Sequence, residues 1–209
     1  MISKLAARAA LFFANKDVYG HEEIESYKYG FQVMISTAIN LICVLIISIL
    51  TSSALNGLLF ILAFIPLRMT AGGYHAKHHW SCIWGFIIIF FGFSMLCNHL
   101  NIRFVFIYTL ISIVFSSLMV WIFSPIEAIN KPLTEEKRKR NRKHSLIIVG
   151  INMAIVVLSY YIPNSPVKLL SYYISGSLAA GLLLPLAYFV NKKAKRQAAQ
   201  IAPERSDNK

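Results

Sequence analysis

Residues 31–50, FQVMISTAINLICVLIISIL, run for 20 positions without a charge. Coiled as an α-helix, such a run is about 30 Å long, the thickness of a bilayer's hydrocarbon core. Lipid offers no partner to backbone N–H and C=O groups, so a segment that enters it has to bond within itself. Comparable apolar runs cover 53–67, 82–97, 101–123, 144–162 and 167–190. The chain is therefore expected to be an all-α polytopic membrane protein with about six transmembrane helices. The second run is short and contains Asn56, Gly57 and Pro66, which leaves four crossings plus re-entrant segments as the fallback. Composition agrees: 56% of the 209 residues are hydrophobic and 14% charged, against about 25% charge in a soluble domain.

Residues 1–190 read as one membrane-embedded domain, and 191–209 as a basic, polar cytoplasmic tail. The opening stretch MISKLAARAALFFAN sets Ile2, Leu5, Ala9 and Phe12 on one helical face, apart from Lys4 and Arg8. That is the pattern of an amphipathic helix lying on the membrane surface. A polar segment then leads into the first span near residue 31. No secretory signal peptide is expected, because the first long run begins too late and is too long to be one.

The net charge is +12, from 21 Lys and Arg against 9 Asp and Glu. In a soluble protein that excess would suggest a nucleic-acid partner. Here the positive-inside rule accounts for it, and no nucleic acid is expected. With six spans, 1–30, the 68–81 loop, 124–143 and the tail share one side and hold 19 of the 21 basic residues; Arg103 and Lys168 are the others. Both termini and the 68–81 loop are thus expected at the cytoplasmic face. The run KRKRNRK (137–143) is expected to meet anionic membrane lipids.

Between two apolar runs lies RMTAGGYHAKHHWSC (68–82), where the reactive side chains collect. Three readings compete for it. As a plain interfacial loop, Tyr74 and Trp80 sit at headgroup depth and Gly72-Gly73 makes a turn. As a metal site, His75 with His79, or His78 with Cys82, could each offer two ligands at i,i+4 helical spacing, but on different faces. No cofactor motif accompanies them, and Cys43, Cys82 and Cys97 form neither a CxxC nor a disulfide framework. As a thiol catalyst, Cys82 would start an apolar span at the hydrated interface, where cationic groups and a helix N-terminus favour the thiolate. In a straight helix His75 and Cys82 are about 10.5 Å apart along the axis, and His78 or His79 would be nearer. Spacing leaves the base open.

Arg68, Ala71, Gly72, Gly73, Tyr74, His75, Ala76 and Cys82 together spell a motif that resembles the accessory gene regulator protein B (AgrB) family. A second stretch, SPIEAINKPLTEEKRK (124–139), is similar to that family's Pro-x-x-x-x-Asn-Lys-Pro-Leu segment through Pro125, Asn130, Lys131, Pro132 and Leu133. The resemblance covers nearly the whole chain. It implies a membrane-embedded cysteine endopeptidase of the bacterial cell membrane, which processes an AgrD-like propeptide into a cyclic thiolactone or lactone signal for quorum sensing. By the same resemblance Cys82 is the nucleophile, His75 is the catalytic histidine, and the protein is a homodimer.

For His75 to serve, the backbone has to depart from a straight helix before Cys82. Gly72 and Gly73 are candidates for that turn or for oxyanion donors. Arg68 is a candidate for binding a substrate carboxylate or a lipid phosphate. Gln32 and Glu127 could orient the histidine or line a substrate path. Lys137, Arg138, Lys139 and Arg140 could steer an acidic precursor tail. The competing reading is a small transporter, or a metal- or proton-binding membrane protein, built on His75, His78 and His79.

Overall fold

The computed structural model describes residues 2–14, 24–51, 53–72, 79–127, 134–162 and 166–204; a few side chains within these helices, that of Cys82 among them, lie outside the description. Among the described residues the chain forms seven α-helices: α1 (Ile2–Ala14), α2 (Ile24–Thr51), α3 (Ala54–Ala71), α4 (His79–His99), α5 (Ile102–Phe123), α6 (Glu135–Tyr161) and α7 (Val167–Glu204). α2, α3, α5, α6 and α7 are long and apolar enough to cross a membrane, and α4 contributes the shorter apolar stretch Ile83–His99. The protein is an all-helical, multi-pass membrane protein.

Local chemistry sets the helix ends. Ser53 caps α3 by accepting the Leu55 N–H at 3.3 Å, and Asn101 caps α5 by accepting that of Arg103 at 3.1 Å; each satisfies a donor with no intrahelical partner. α3 runs unbroken through Pro66 for 18 residues, about 27 Å, as one continuous helix. Glu135 and Glu136 occupy the first turn of α6, where negative charge complements the helix dipole. KRKRNRK is therefore helical, although its polarity sets it apart from the span it continues. Lys, Arg and Glu are good helix formers, so the span extends beyond the apolar run. α7 likewise continues past residue 190, as far as Glu204.

α7 is the helix about which the others pack. Gly176 lies so close to α3 that an added Cβ would collide with the Phe60 carbonyl, and one on Gly181 would stand 3.1 Å from the Cα of Ser116 in α5. Small residues allow backbones to approach this closely, which is how helices associate where lipid removes the hydrophobic drive. Hydrogen bonds add to the contact. Ser116 Oγ donates to the Ser177 carbonyl at 3.0 Å, Asn152 Nδ2 to Ser177 Oγ at 3.2 Å, and Tyr173 OH to Asn152 Oδ1 at 2.6 Å. Phenylalanines tie α3 to α4, with the Phe64 and Phe86 rings 4.7 Å apart and those of Phe60 and Phe90 5.0 Å apart. α1 seats its fully buried Ala6 and Ala10 on α2 and leaves Leu5 and Phe12 exposed, an apolar face suited to lipid.

The turns gather at two ends. At one, Asn98 Nδ2 donates to the Thr51 carbonyl at 3.4 Å and Lys168 Nζ to the Asn98 carbonyl at 3.3 Å. At the other, Ile126 N–H reaches the Ala71 carbonyl at 2.9 Å and Asn191 Nδ2 the Glu127 carbonyl at 2.7 Å. Arg68, Arg138 and Lys192 belong to this second, basic end.

Gly176→Ala should lower the melting temperature of the detergent-solubilised protein, because overpacking of this kind costs about 1–3 kcal/mol. Gly150→Ala, where a Cβ meets nothing within 4 Å, should leave it unchanged or raise it. Equal melting temperatures for the two variants would contradict the close α3–α7 packing.

Candidate functional site at the basic end

α3 ends at Gly72, whose φ of 80° and ψ of −154° fall in a region essentially reserved for glycine. Gly72 forms a parallel bridge with Ile126, made by the Ile126 N–H to Ala71 C=O bond. A Cβ on Gly72 would run into the Ile126 carbonyl. The backbone of the first sequence motif is thus stitched to the backbone of the second. Arg68 Nη1 donates to the Gly72 carbonyl at 3.0 Å, so its guanidinium closes over the C-terminal end of α3, where a cation complements the dipole.

The second motif's segment is anchored in turn. The hydroxyls of Ser124 and Ser145, both buried, lie 2.7 Å apart, and Ser145 also donates to the Arg142 carbonyl at 2.9 Å. Asn191 of α7 holds the Glu127 carbonyl. The Glu127 carboxylate stands 3.7 Å from Arg138 Nη1, which is also 3.9 Å from Glu135. Half-exposed pairs of this kind add little stability, so the neutral Asn191 and Ser145 contacts carry most of the anchoring. α6 and α7 hold segment 124–127, and that segment holds Gly72.

Cys82 lies in the first turn of α4, where N–H groups without intrahelical acceptors and the positive end of the dipole favour negative charge. Position 82 is one helical turn before Phe86, the residue that packs on Phe64 of α3. The side chains of Cys82 and His79, and all of Gly73, His75, His78, Asn130 and Lys131, lie outside the described residues. Gln32 is half-buried in α2, its carbonyl accepting the Ser36 hydroxyl at 2.6 Å. Lys137, Arg138, Lys139 and Arg140 are exposed on the opening turns of α6. The remaining cysteines stand apart: Cys97 is buried near the opposite end, 3.3 Å from Ser175 Oγ, and Cys43 is half-buried in α2. Among the described residues no three His, Cys, Asp or Glu side chains converge as a metal site.

Arg138 and Lys139 line a cavity of about 860 Å³ together with Arg142 of the same basic run, and with Tyr188, Asn191 and Lys192, which the sequence reading did not single out. Asn191 and Lys192 look there like the end of an apolar run. Their part in the site depends on α7 returning beside segment 124–127, a tertiary fact.

Gly72→Ala should be the most damaging small substitution at this end, since the glycine-only backbone alone costs about 1–3 kcal/mol to impose on alanine. Asn191→Ala removes one hydrogen bond, worth about 1 kcal/mol. Melting in detergent and protease sensitivity of segment 124–127 should rank Gly72→Ala above Asn191→Ala, and Asn191→Ala above wild type.

Comparison with known proteins fits this arrangement. The family model described as Accessory gene regulator B matches residues 6–187. AgrB-like protein 2 of Clostridium perfringens (strain 13 / Type A) is 35% identical over 196 residues, which cover 90% of this chain and 86% of that protein. An AgrB-like protein of C. perfringens (strain SM101 / Type A) is 33% identical over 174 residues, covering 80% and 78%. Protein FsrB of Enterococcus faecalis (strain ATCC 47077 / OG1RF) is 25% identical over 157 residues, covering 75% of this chain and 62% of FsrB. No solved structure matches the chain at a significant level. With a match that spans nearly its whole length, including both motifs that meet at Gly72 and Ile126, the chain belongs to the AgrB family.

Proposed function

We propose that this protein is a membrane-embedded cysteine endopeptidase that removes the C-terminal tail of an AgrD-like propeptide and promotes closure of a cyclic quorum-sensing peptide. Family membership carries the reading, and the meeting of the two motifs at the basic end supports it. Cys82 is the nucleophile and His75 the base. His75 takes the thiol proton, the thiolate attacks a peptide bond C-terminal to the future ring, and His75 returns the proton to the leaving amine. The rest of the precursor stays on Cys82 as a thioester. A cysteine or serine within that peptide then attacks the carbonyl and releases Cys82. With cysteine this exchanges one thioester for another, which is nearly neutral in bond energy, so ring closure needs no ATP at that step. A water-poor site protects the thioester from hydrolysis.

Gly72 turns the chain out of α3 before His75, which is what a histidine seven residues from its cysteine requires. The first turn of α4 supplies an electropositive setting for the Cys82 thiolate. The gathering of basic residues at this end favours the cytoplasmic face, with both termini inside the cell, where a membrane-bound precursor has access. Lys137, Arg138, Lys139 and Arg140 attract an acidic precursor tail and, with it, anionic lipid.

Co-expression with the precursor and mass spectrometry of the products test this proposal. Cys82→Ser and His75→Ala should each lower cleavage by about 10³-fold or more, whereas Cys43→Ser and Cys97→Ser should retain it. Full cleavage by correctly inserted Cys82→Ser protein would sink the assignment. A precursor fragment trapped as a thioester on Cys82 would identify the bond that breaks.

A further inference from the structure

The cavity at the basic end sets four cations, Arg138, Lys139, Arg142 and Lys192, against one carboxylate, that of Glu127. Its volume of about 860 Å³ lies within the usual range for small-molecule sites, about 300–1,000 Å³. The remaining wall is largely apolar. The Phe123 and Tyr188 rings meet at 5.4 Å, and Lys192 Nζ lies 5.8 Å from the Tyr188 ring, the pairing of aromatic and cation found where a span reaches the headgroups.

Ile122 lines the cavity and is 56% exposed, beside Trp121 at 62%. The cavity wall therefore continues onto the outer, lipid-facing surface of α5. A water-soluble anion would use only the cationic rim. An amphiphile uses both surfaces, with its phosphate at the rim and an acyl chain along Ile122.

We propose that this cavity is a binding site for one anionic phospholipid, its phosphate-bearing headgroup held between the N-terminal turns of α6 and the basic end of α7. Arg138 already faces Glu127 and Glu135, which leaves Lys139, Arg142 and Lys192 for the headgroup; Arg142 and Lys192 bring one cation from each of the two helices. A formed site differs from general attraction of basic residues to a membrane. Lys143 and Lys193 carry the same charge one residue further along the same helices, yet they do not line the cavity.

The test is native mass spectrometry of the full chain released from micelles containing equal amounts of phosphatidylglycerol and phosphatidylcholine. Wild type should retain phosphatidylglycerol. Arg142→Gln with Lys192→Gln should weaken that binding about 30-fold, from about a factor of five for each basic contact. Lys143→Gln with Lys193→Gln, an equal change in net charge, should leave it intact. Arg142→Lys with Lys192→Arg should also retain the lipid, which separates loss of charge from loss of fold. Equal weakening by the two neutralised pairs, or equal retention of phosphatidylcholine, would overturn the proposal. So would displacement of the lipid by millimolar inorganic phosphate or by a soluble acidic peptide.

Discussion

The close approach of α3 and α5 to α7 governs the rest of the molecule. In lipid there is no hydrophobic gain from pressing apolar helices together, so contact has to come from backbone proximity and from hydrogen bonds. Gly176 against the Phe60 backbone and Gly181 against Ser116 provide the proximity. The buried Ser116, Asn152, Tyr173 and Ser177 provide the bonds. With α7 fixed between its neighbours, Asn191 at its basic end meets the segment that leaves α5. The position of segment 124–127 thus follows from packing deep inside the bundle.

That segment is where the two sequence motifs meet. Gly72 has a backbone that only glycine adopts readily, and it is pressed directly against the Ile126 carbonyl. Neither feature is costly for glycine, and both would be for any residue with a Cβ. The result is a fixed exit from α3, immediately before the histidine-bearing stretch and within the same end of the bundle as the start of α4. Phe64 and Phe86 lock α3 to α4 just below. For the proposed peptidase such support would matter, because small displacements of catalytic groups cost large factors in rate.

Charge does more than one job at this end. Glu135 and Glu136 complement the start of α6, Arg68 covers the end of α3, and Arg142 and Lys192 face a cavity that opens toward lipid. Basic residues that a topology rule treats as interchangeable are thereby divided into those that finish helices and those that face a ligand-sized space.

Apolar runs of bilayer length, and the amphipathic opening stretch, were enough to give an all-helical membrane fold, because a backbone in lipid has no alternative to helix. That the short second run is one continuous helix through Pro66 came only from the structure. The motif residues were enough to give the family and to nominate Cys82 and His75. Other features were out of reach. KRKRNRK is polar enough to pass for a loop, and only its continuity with the following span makes it helix. Gly72 and Gly73 are equivalent as letters; only the bridge to Ile126 shows why position 72 calls for glycine. Asn191 and Ser145 carry no local signal, since the segment each of them holds lies far away in the sequence. The sequence by itself determined which segments are apolar enough to enter a membrane and which residues are chemically able to act. Tertiary structure alone decided that Gly72 meets Ile126 and Asn191 meets Glu127, because close approach and hydrogen bonding between segments depend on how the bundle packs.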